Sequence, residues 1–410
     1  MSNYWKPSLL LLIVLFGTSQ LKAQFGFSLT GDATQVEIPF EVHNNLVIIP
    51  VVLNNAIPLK FILDTGVRTA ILTEKTISDL MQISYDRKIS IIGGGGGDTV
   101  DAYIAHNVTL QLPGVRGKGQ PILILAQDYL KLKNSMGHNV HGILGYEIFG
   151  RFVVKIDYVN RILTLIEPAA FKPRKRDTSI PLTIEDTKPY INVDLTINDT
   201  TKVEAKFMID SGASHSLLLD AASHEGITIP ENVIDGKLGR GLTGDIEGFL
   251  GRVEKIQIEE FEFKNIIASY PDVESYRSIR DGTDRNGTVG SGLLSRFYVT
   301  YDYLNARLYL RKNKKYKVSF EYNMSGIDLE ASGPNFSKFR ISYVREDSPA
   351  DKAGVKYGDE LILINGISAK NLKMGEIFNI LSAKQGKNIK LRLKRNQELL
   401  SAKFKLERLI

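Results

Sequence analysis

The sequence predicts a mostly β protein: a bilobed pair of β-barrels related by an internal pseudo-twofold, followed by a smaller α+β domain. Three observations predict it. The first is a repeat. "KFILDTGVRTAIL" at 60–72 is echoed by "KFMIDSGASHSLL" at 206–218, at an offset of 146. "GILGYEIFGRFVVKIDYVNRILTL" at 142–165 lies over "GTVGSGLLSRFYVTYDYLNARLYL" at 287–310 at an offset of 145, with ten of 24 positions identical. The second is strand patterning, because "VIIPVVLNN" and "YINVDLTIND" are β-branched runs that end in Asn or Asp turn residues. The third is a change of pattern after "LRKNKKYK". From there the order reads strand, short helix at 348–354, strand and turn at "LILINGIS", longer helix at 374–383, then paired strands.

The elements follow in chain order. "MSNYWKPSLLLLIVLFGTSQLKAQ" places Lys6 before an apolar run at 8–16 that is too short to span a bilayer as a helix. Small and polar residues follow to Ala23, so 1–23 reads as a signal peptide and the mature chain as exported, periplasmic or secreted, with no transmembrane segment. Lobe 1 is expected over 30–168, a Pro-containing charged linker over 169–179, lobe 2 over 180–313 and the last domain over 320–410. Short helices are expected after each Asp turn and before the final strand of each lobe. The chain has 410 residues, 43% hydrophobic and 24% charged, an ordinary globular balance for two or three domains. Its 52 basic residues are scattered, the net charge is only +6, and no basic stripe alternates with aromatics, which argues against nucleic acid as a partner. There is no cysteine, so neither a disulfide nor a lipid-bearing thiol is available.

The chemistry sits in the repeated Asp. Each copy has an apolar strand (Phe61-Ile62-Leu63; Phe207-Met208-Ile209) that delivers Asp64 or Asp210 to a buried floor. Two carboxylates at about 3 Å, at an effective dielectric of ~20, repel by roughly 5 kcal/mol, so the pair retains one proton and divides into acid and base. Such a pair activates water against a carbonyl and needs no metal or organic cofactor. Thr65 and Ser211 offer hydroxyls to tie the two loops together, and Gly66 and Gly212 allow close approach and supply N–H donors.

With these residues, and with "GILG" and "GTVG" as the hydrophobic-hydrophobic-Gly element beneath each loop, the chain resembles the aspartic proteases of the pepsin and retropepsin superfamily over roughly 35–312. The division of a shared proton is the established behaviour of that family rather than a deduction from this chain. The resemblance implies an aspartic endopeptidase acting on polypeptides, with Asp64 and Asp210 as catalytic dyad. It also implies flaps, β-hairpins that close over substrate. "IIGGGGGDTVDAY" (91–103) and "GRGLTGDIEGFLGRV" (239–253) are the candidates, with Gly94, Gly95, Gly96, Gly241 and Gly244 at their tips. A flap in each half is more like a fused retropepsin-like dimer than like pepsin. After the second motif, Ala213-Ser214 follows the family pattern, so the Ser214 hydroxyl is expected on the outer oxygen of Asp210. The first motif departs from it with Val67-Arg68. Arg68 has three placements open: beside Asp64, favouring its ionised form; on a substrate carboxylate; or in solvent.

"SPADKAGVKYGDELILINGIS" (348–368) resembles PDZ domains of the type seen in bacterial proteases. The resemblance implies binding of peptide C-termini by strand addition, with the carboxylate loop near Gly326 and Ile327. The rival function is a catalytically degenerate peptide-binding protein using the same cleft and the PDZ domain. Paired Asp also suits glycoside hydrolysis, but fused Asp-Thr/Ser-Gly repeats favour peptides. Other motifs fall short. "GRGLTG" lacks a following helix, the five-glycine run lacks Gly-Lys-Ser/Thr, and His138-x-x-His141 has no carboxylate near it in sequence, so it reads as a solvated loop.

Overall fold

The computed structural model describes residues 26–97, 99–280 and 282–410; the expected signal peptide at 1–23 lies outside the described residues. In lobe 1 the hairpin Leu46–Leu53 and Ile57–Leu63 turns at Asn54 and Asn55, at φ 47° and 58°. Asn tolerates that left-handed region because its short polar side chain bonds locally. In lobe 2 the hairpin Lys188–Asn198 and Thr201–Asp210 takes the same place. The second strand of each hairpin ends at an Asp turn.

The repeated apolar-Gly segments explain their own recurrence. Gly142–Leu144 runs parallel to the strand before Asp64, with Ile143 opposite Ile62; Gly287–Gly290 does the same before Asp210, with Val289 opposite Ile209. A Cβ on Gly145 would lie 2.1 Å from the Val67 carbonyl oxygen, and one on Gly290 2.3 Å from that of His215. Both glycines are therefore demanded by backbone following the Asp turn. One step earlier, His141 Nδ1 accepts from the Lys60 N–H (3.2 Å) and Asn286 Oδ1 from the Lys206 N–H (2.8 Å), two different side chains in one role.

The lobes are joined by a six-stranded sheet, three strands from each, in the order Thr178–Pro181, Arg307–Lys312, Phe297–Asp302, Val153–Asp157, Ile162–Ile166, Gln35–Pro39. Its two central strands are copies of one another and pair antiparallel, with Lys155 opposite Thr300. Those two positions are equivalent in the repeat, so the pseudo-twofold passes through this pair. The conserved spacing Asp-Tyr-x-Asn closes the turn after each copy. Asn160 Nδ2 donates to Asp157 Oδ2 (2.8 Å) and Asn305 Nδ2 to Asp302 Oδ2 (2.9 Å). A single hydrophobic core then runs through both lobes, with Phe149 of lobe 1 lying 5.1 and 5.6 Å from the Tyr301 and Tyr303 rings of lobe 2.

Two details differ from the expected boundaries. Gly26–Leu29, ahead of residue 30, pairs with the strand Val115–Leu125, and the outer strand of the joining sheet, Thr178–Pro181, begins two residues inside the expected linker.

The last domain is a sheet of Ile327–Ser332, Lys338–Val344, Glu360–Ile364, Asn388–Arg395 and Glu398–Lys405 with the helices Pro349–Lys352 and Met374–Leu381. Ser348 caps the first helix by accepting from the Asp351 N–H (3.2 Å). Ile234 of lobe 2 is buried in this domain's core, so the domain is docked rather than tethered. Among the described residues, no helix is long and apolar enough to cross a membrane.

Replacing Phe149 by Ala removes a buried ring between the lobes. Denaturant unfolding is expected to show a loss of about 3–5 kcal/mol.

Candidate active site

The two Asp turns meet on the pseudo-twofold and are locked by four hydrogen bonds between buried groups. Thr65 Oγ1 donates to the Ile209 carbonyl (2.7 Å) and accepts from the Ser211 N–H (3.0 Å). Reciprocally, Ser211 Oγ donates to the Leu63 carbonyl (2.9 Å) and accepts from the Thr65 N–H (3.1 Å). Both hydroxyls are buried and fully used, so each lobe satisfies the backbone of the other.

This lock sets the Asp64 and Asp210 carboxyls side by side: a Cβ on Gly66 would lie 3.1 Å from Asp64 Oδ1 and 3.5 Å from Asp210 Oδ2. Gly66 N–H donates to Asp64 Oδ1 (2.6 Å) and Gly212 N–H to Asp210 Oδ1 (2.8 Å). Gly212 has no room for a side chain, since a Cβ there would lie 2.1 Å from Asp64 Cγ. Burial and the negative charge of Asp210 push the Asp64 carboxyl well above its ordinary value of 3.8. Burial also raises Asp210, but the Arg285 guanidinium pulls it back. Both carboxyls are thus raised, Asp64 the more strongly, and the cation sits on the Asp210 side.

Arg285 is the residue that sequence reasoning missed. It donates from Nη2 to the Tyr276 hydroxyl (2.9 Å) and from Nη1 to Met208 Sδ (2.8 Å). The repeat itself held the signal: at the offset of 145 its counterpart is Val140, a charge against an apolar residue. Beside it His215, buried and near this cation, has its pKa lowered to about 4 and stays neutral.

The glycine-rich stretches are the turns of two long hairpins, Arg87–Ile91 with Val100–Leu112 and Ile234–Arg240 with Asp245–Ile258. The tips touch. Thr243 donates from N–H to the Gly94 carbonyl (3.1 Å) and from its hydroxyl to that of Gly93 (2.9 Å). Gly95 N–H donates to the Ser275 carbonyl (2.9 Å), and Cβ atoms on Gly95 and Gly241 would lie 2.2 and 2.0 Å from backbone atoms of Gly244 and Gly94. Gly96 sits at φ 73° against Ser275. Leu242 of the second hairpin packs against the lobe 1 cluster that holds Leu46, Ile62, Met136 and Ile143. A cavity of about 550 Å³ contains Asp64 and Asp210, walled on the lobe 1 side by these apolar residues and on the lobe 2 side by Arg285 and Tyr276.

Two expectations, for Ser214 and His138, are corrected, and of the three placements open to Arg68 the structure takes the outward one. Ser214 is exposed and its carbonyl accepts from Asn45 Nδ2 (3.3 Å); the backbone N–H groups of Gly212 and Ala213, not its hydroxyl, serve Asp210. Arg68 is two-thirds exposed and pairs with Asp186 across the lobes (2.9 Å), because the turn aims it outward, so the cation at the dyad is Arg285. His138 is not a solvated loop residue: it stacks on His43 (centroids 4.1 Å) and bonds Glu41 (2.7 Å), a donor set that Lys60 Nζ already occupies at 2.6 Å from Glu41 and 3.1 Å from His138.

Gly326, at φ 83°, and Ile327 lie in the loop that opens the edge strand of the last domain. Ile327 lines the same cavity as the two Asp residues.

Residues 49–148 and 193–294 each match the aspartyl protease family, and residues 340–395 match the PDZ domain. No curated protein matches the chain.

Changing Thr65 to Val keeps its shape and orphans the buried Ser211 N–H and Ile209 carbonyl. Urea unfolding is expected to show a loss of about 1–3 kcal/mol per orphaned group.

Proposed function

We propose that this chain, whose two lobes belong to the aspartyl protease family and whose last domain is a PDZ domain, is an endopeptidase that hydrolyses peptide bonds with one dyad formed by Asp64 and Asp210. The observation that carries the reading is the reciprocal Thr65–Ser211 lock, which holds two half-buried carboxyls side by side beneath a pair of closed hairpins.

In this mechanism a water lies between the carboxyls and the scissile carbonyl. Asp210, kept ionised by Arg285, takes a proton from the water as its oxygen attacks the carbonyl carbon. Asp64 gives its proton to the carbonyl oxygen, so the intermediate is a neutral gem-diol. Collapse breaks the C–N bond: Asp210 hands its proton to the leaving nitrogen, and a gem-diol hydroxyl returns one to Asp64. The hairpin tips exclude bulk water and present backbone groups to an extended substrate. The wall of Leu46, Ile62, Met136 and Ile143 suits apolar side chains. Arg68, which beside Asp64 would have spoken for a degenerate site, is engaged with Asp186 instead. The PDZ domain contributes peptide recognition, and the apolar run at 8–16 supports action outside the cytoplasm.

Asp64→Asn and Asp210→Asn should each lower turnover of a mixed peptide pool by about 100- to 10,000-fold or more. Retained cleavage in either would refute the shared dyad. Stability supplies a second check. A carboxyl whose folded pKa is raised keeps its proton while the unfolded chain loses it, so stability falls as pH rises from the ordinary value of 3.8 toward the raised one. Asp64→Asn removes that loss, so its melting temperature should exceed the wild type's at pH 7, with the difference vanishing near pH 3. Arg285→Leu removes the cation that favours the ionised pair. Both dyad protons are then held more firmly, and the pH–rate profile should move to higher pH; an unmoved profile would take Arg285 out of the mechanism.

A further inference from the structure

The peptide groove of the PDZ domain does not face away from the lobes. Its edge strand Ile327–Ser332 and its helix Met374–Leu381 line the same cavity of about 550 Å³ that contains Asp64 and Asp210. Phe378 in that groove is 46% exposed, an aromatic with its face uncovered.

The loop at the strand's start is charged for an anion. Arg345 is only 8% exposed, and its Nε and Nη2 have no hydrogen-bond partner among the described residues. Its Nη2 lies 3.4 Å from where a Cβ on Gly326 would stand, and the backbone N–H of Arg345 donates to the Gly326 carbonyl (2.8 Å). A buried guanidinium with idle donors is costly unless an anion answers it; Asp328 lies in its field, on the same strand. The other end of the strand is closed. Asn134 of the lobe 1 helix Leu132–Met136 donates from Nδ2 to the Ala331 carbonyl (3.0 Å), and Gly137 abuts Ala331 and Met374. A peptide whose carboxylate sits at 323–327 runs antiparallel to the strand and meets this helix after a few residues. The straight exit is blocked, while the cavity continues along Leu132 and Met136 to the dyad.

We propose that groove and cleft are one channel, and that the chain selects the free C-terminal segment of a polypeptide and cuts it at a set number of residues from the carboxylate. This rests on the protease reading above. It makes the substrate class chain ends rather than internal loops, with the distance from loop to dyad acting as a ruler.

The test uses the full mature chain. A cleavable sequence is slid stepwise along peptides of constant C-terminus, each made as free acid and as amide, and products are read by mass spectrometry. The cut is expected to keep its distance from the carboxylate, and the amide to lose about ten- to hundredfold in kcat/KM. Phe378→Ala should weaken the free acid more than the amide. A cut that follows the sequence, with acid and amide alike, overturns the proposal. A second readout needs no turnover. In Asp64→Asn, free-acid peptides carrying benzoylphenylalanine at successive positions are photo-crosslinked. The channel requires crosslinks to pass from the helix at 374–381 to residues 132–136 and 237–240 as the probe moves back. Crosslinks confined to the outer surface of the PDZ domain overturn it even where catalysis stands; crosslinks along the channel without wild-type turnover uphold it and count against the protease reading instead.

Discussion

The site depends on two hydroxyls. Thr65 and Ser211 each bond a backbone carbonyl of the opposite lobe and receive a backbone N–H from it, all within a region closed to water. A buried donor or acceptor left unpaired costs about 1–3 kcal/mol, so the lobes cannot separate or slide without orphaning several groups together. That constraint sets the spacing of the Asp carboxyls, which in turn explains Gly212: a residue in one lobe must be glycine because the other lobe's carboxylate fills the space. Beneath the lock, the six-stranded sheet carries the same symmetry through the pair Lys155 and Thr300, so turn and sheet fix one axis at two heights.

A symmetric scaffold by itself would give two equivalent carboxyls, either of which could keep the shared proton. The structure breaks the symmetry with one substitution. Where lobe 1 has the buried Val140, lobe 2 has Arg285, reaching from just ahead of the apolar-Gly strand to the Asp210 side. The charge need not touch the carboxylate. At a low effective dielectric a cation a few ångströms away biases which of two nearly matched sites keeps a proton, and Tyr276 with Met208 holds it in place.

Much of this was legible in the sequence because it repeats. Two copies of strand, Asp, hydroxyl and glycine, each followed by apolar-Gly, identify the dyad and its supports without coordinates, and the glycine runs mark the hairpin tips. The pattern of a PDZ domain is equally local. What stayed hidden depends on contacts between distant segments. The repeat reveals the strands 153–157 and 297–302 but not that each pairs with its own copy. Arg68 stands four residues from Asp64 in sequence, yet the turn sends it to Asp186, 118 residues away. Arg285 stands 75 residues from Asp210 and is brought to it by the sheet. Ser214 failed for a smaller reason: the backbone N–H of Ala213 reaches the carboxylate first.

The hairpin tips set the remaining condition on substrate. They are closed on each other chiefly through backbone, with Thr243 on Gly93 and Gly94, Gly241 against Gly94, and Gly244 against Gly95. Backbone contacts of this kind need glycine for approach. Leu242 alone is inserted into the apolar wall of lobe 1. Leu46, Ile62, Met136 and Ile143 of that wall also line the cavity holding Asp64 and Asp210, so the second hairpin is held over the cleft by an apolar contact as well as by backbone. One leucine and a handful of hydrogen bonds thus close the space above Asp64 and Asp210.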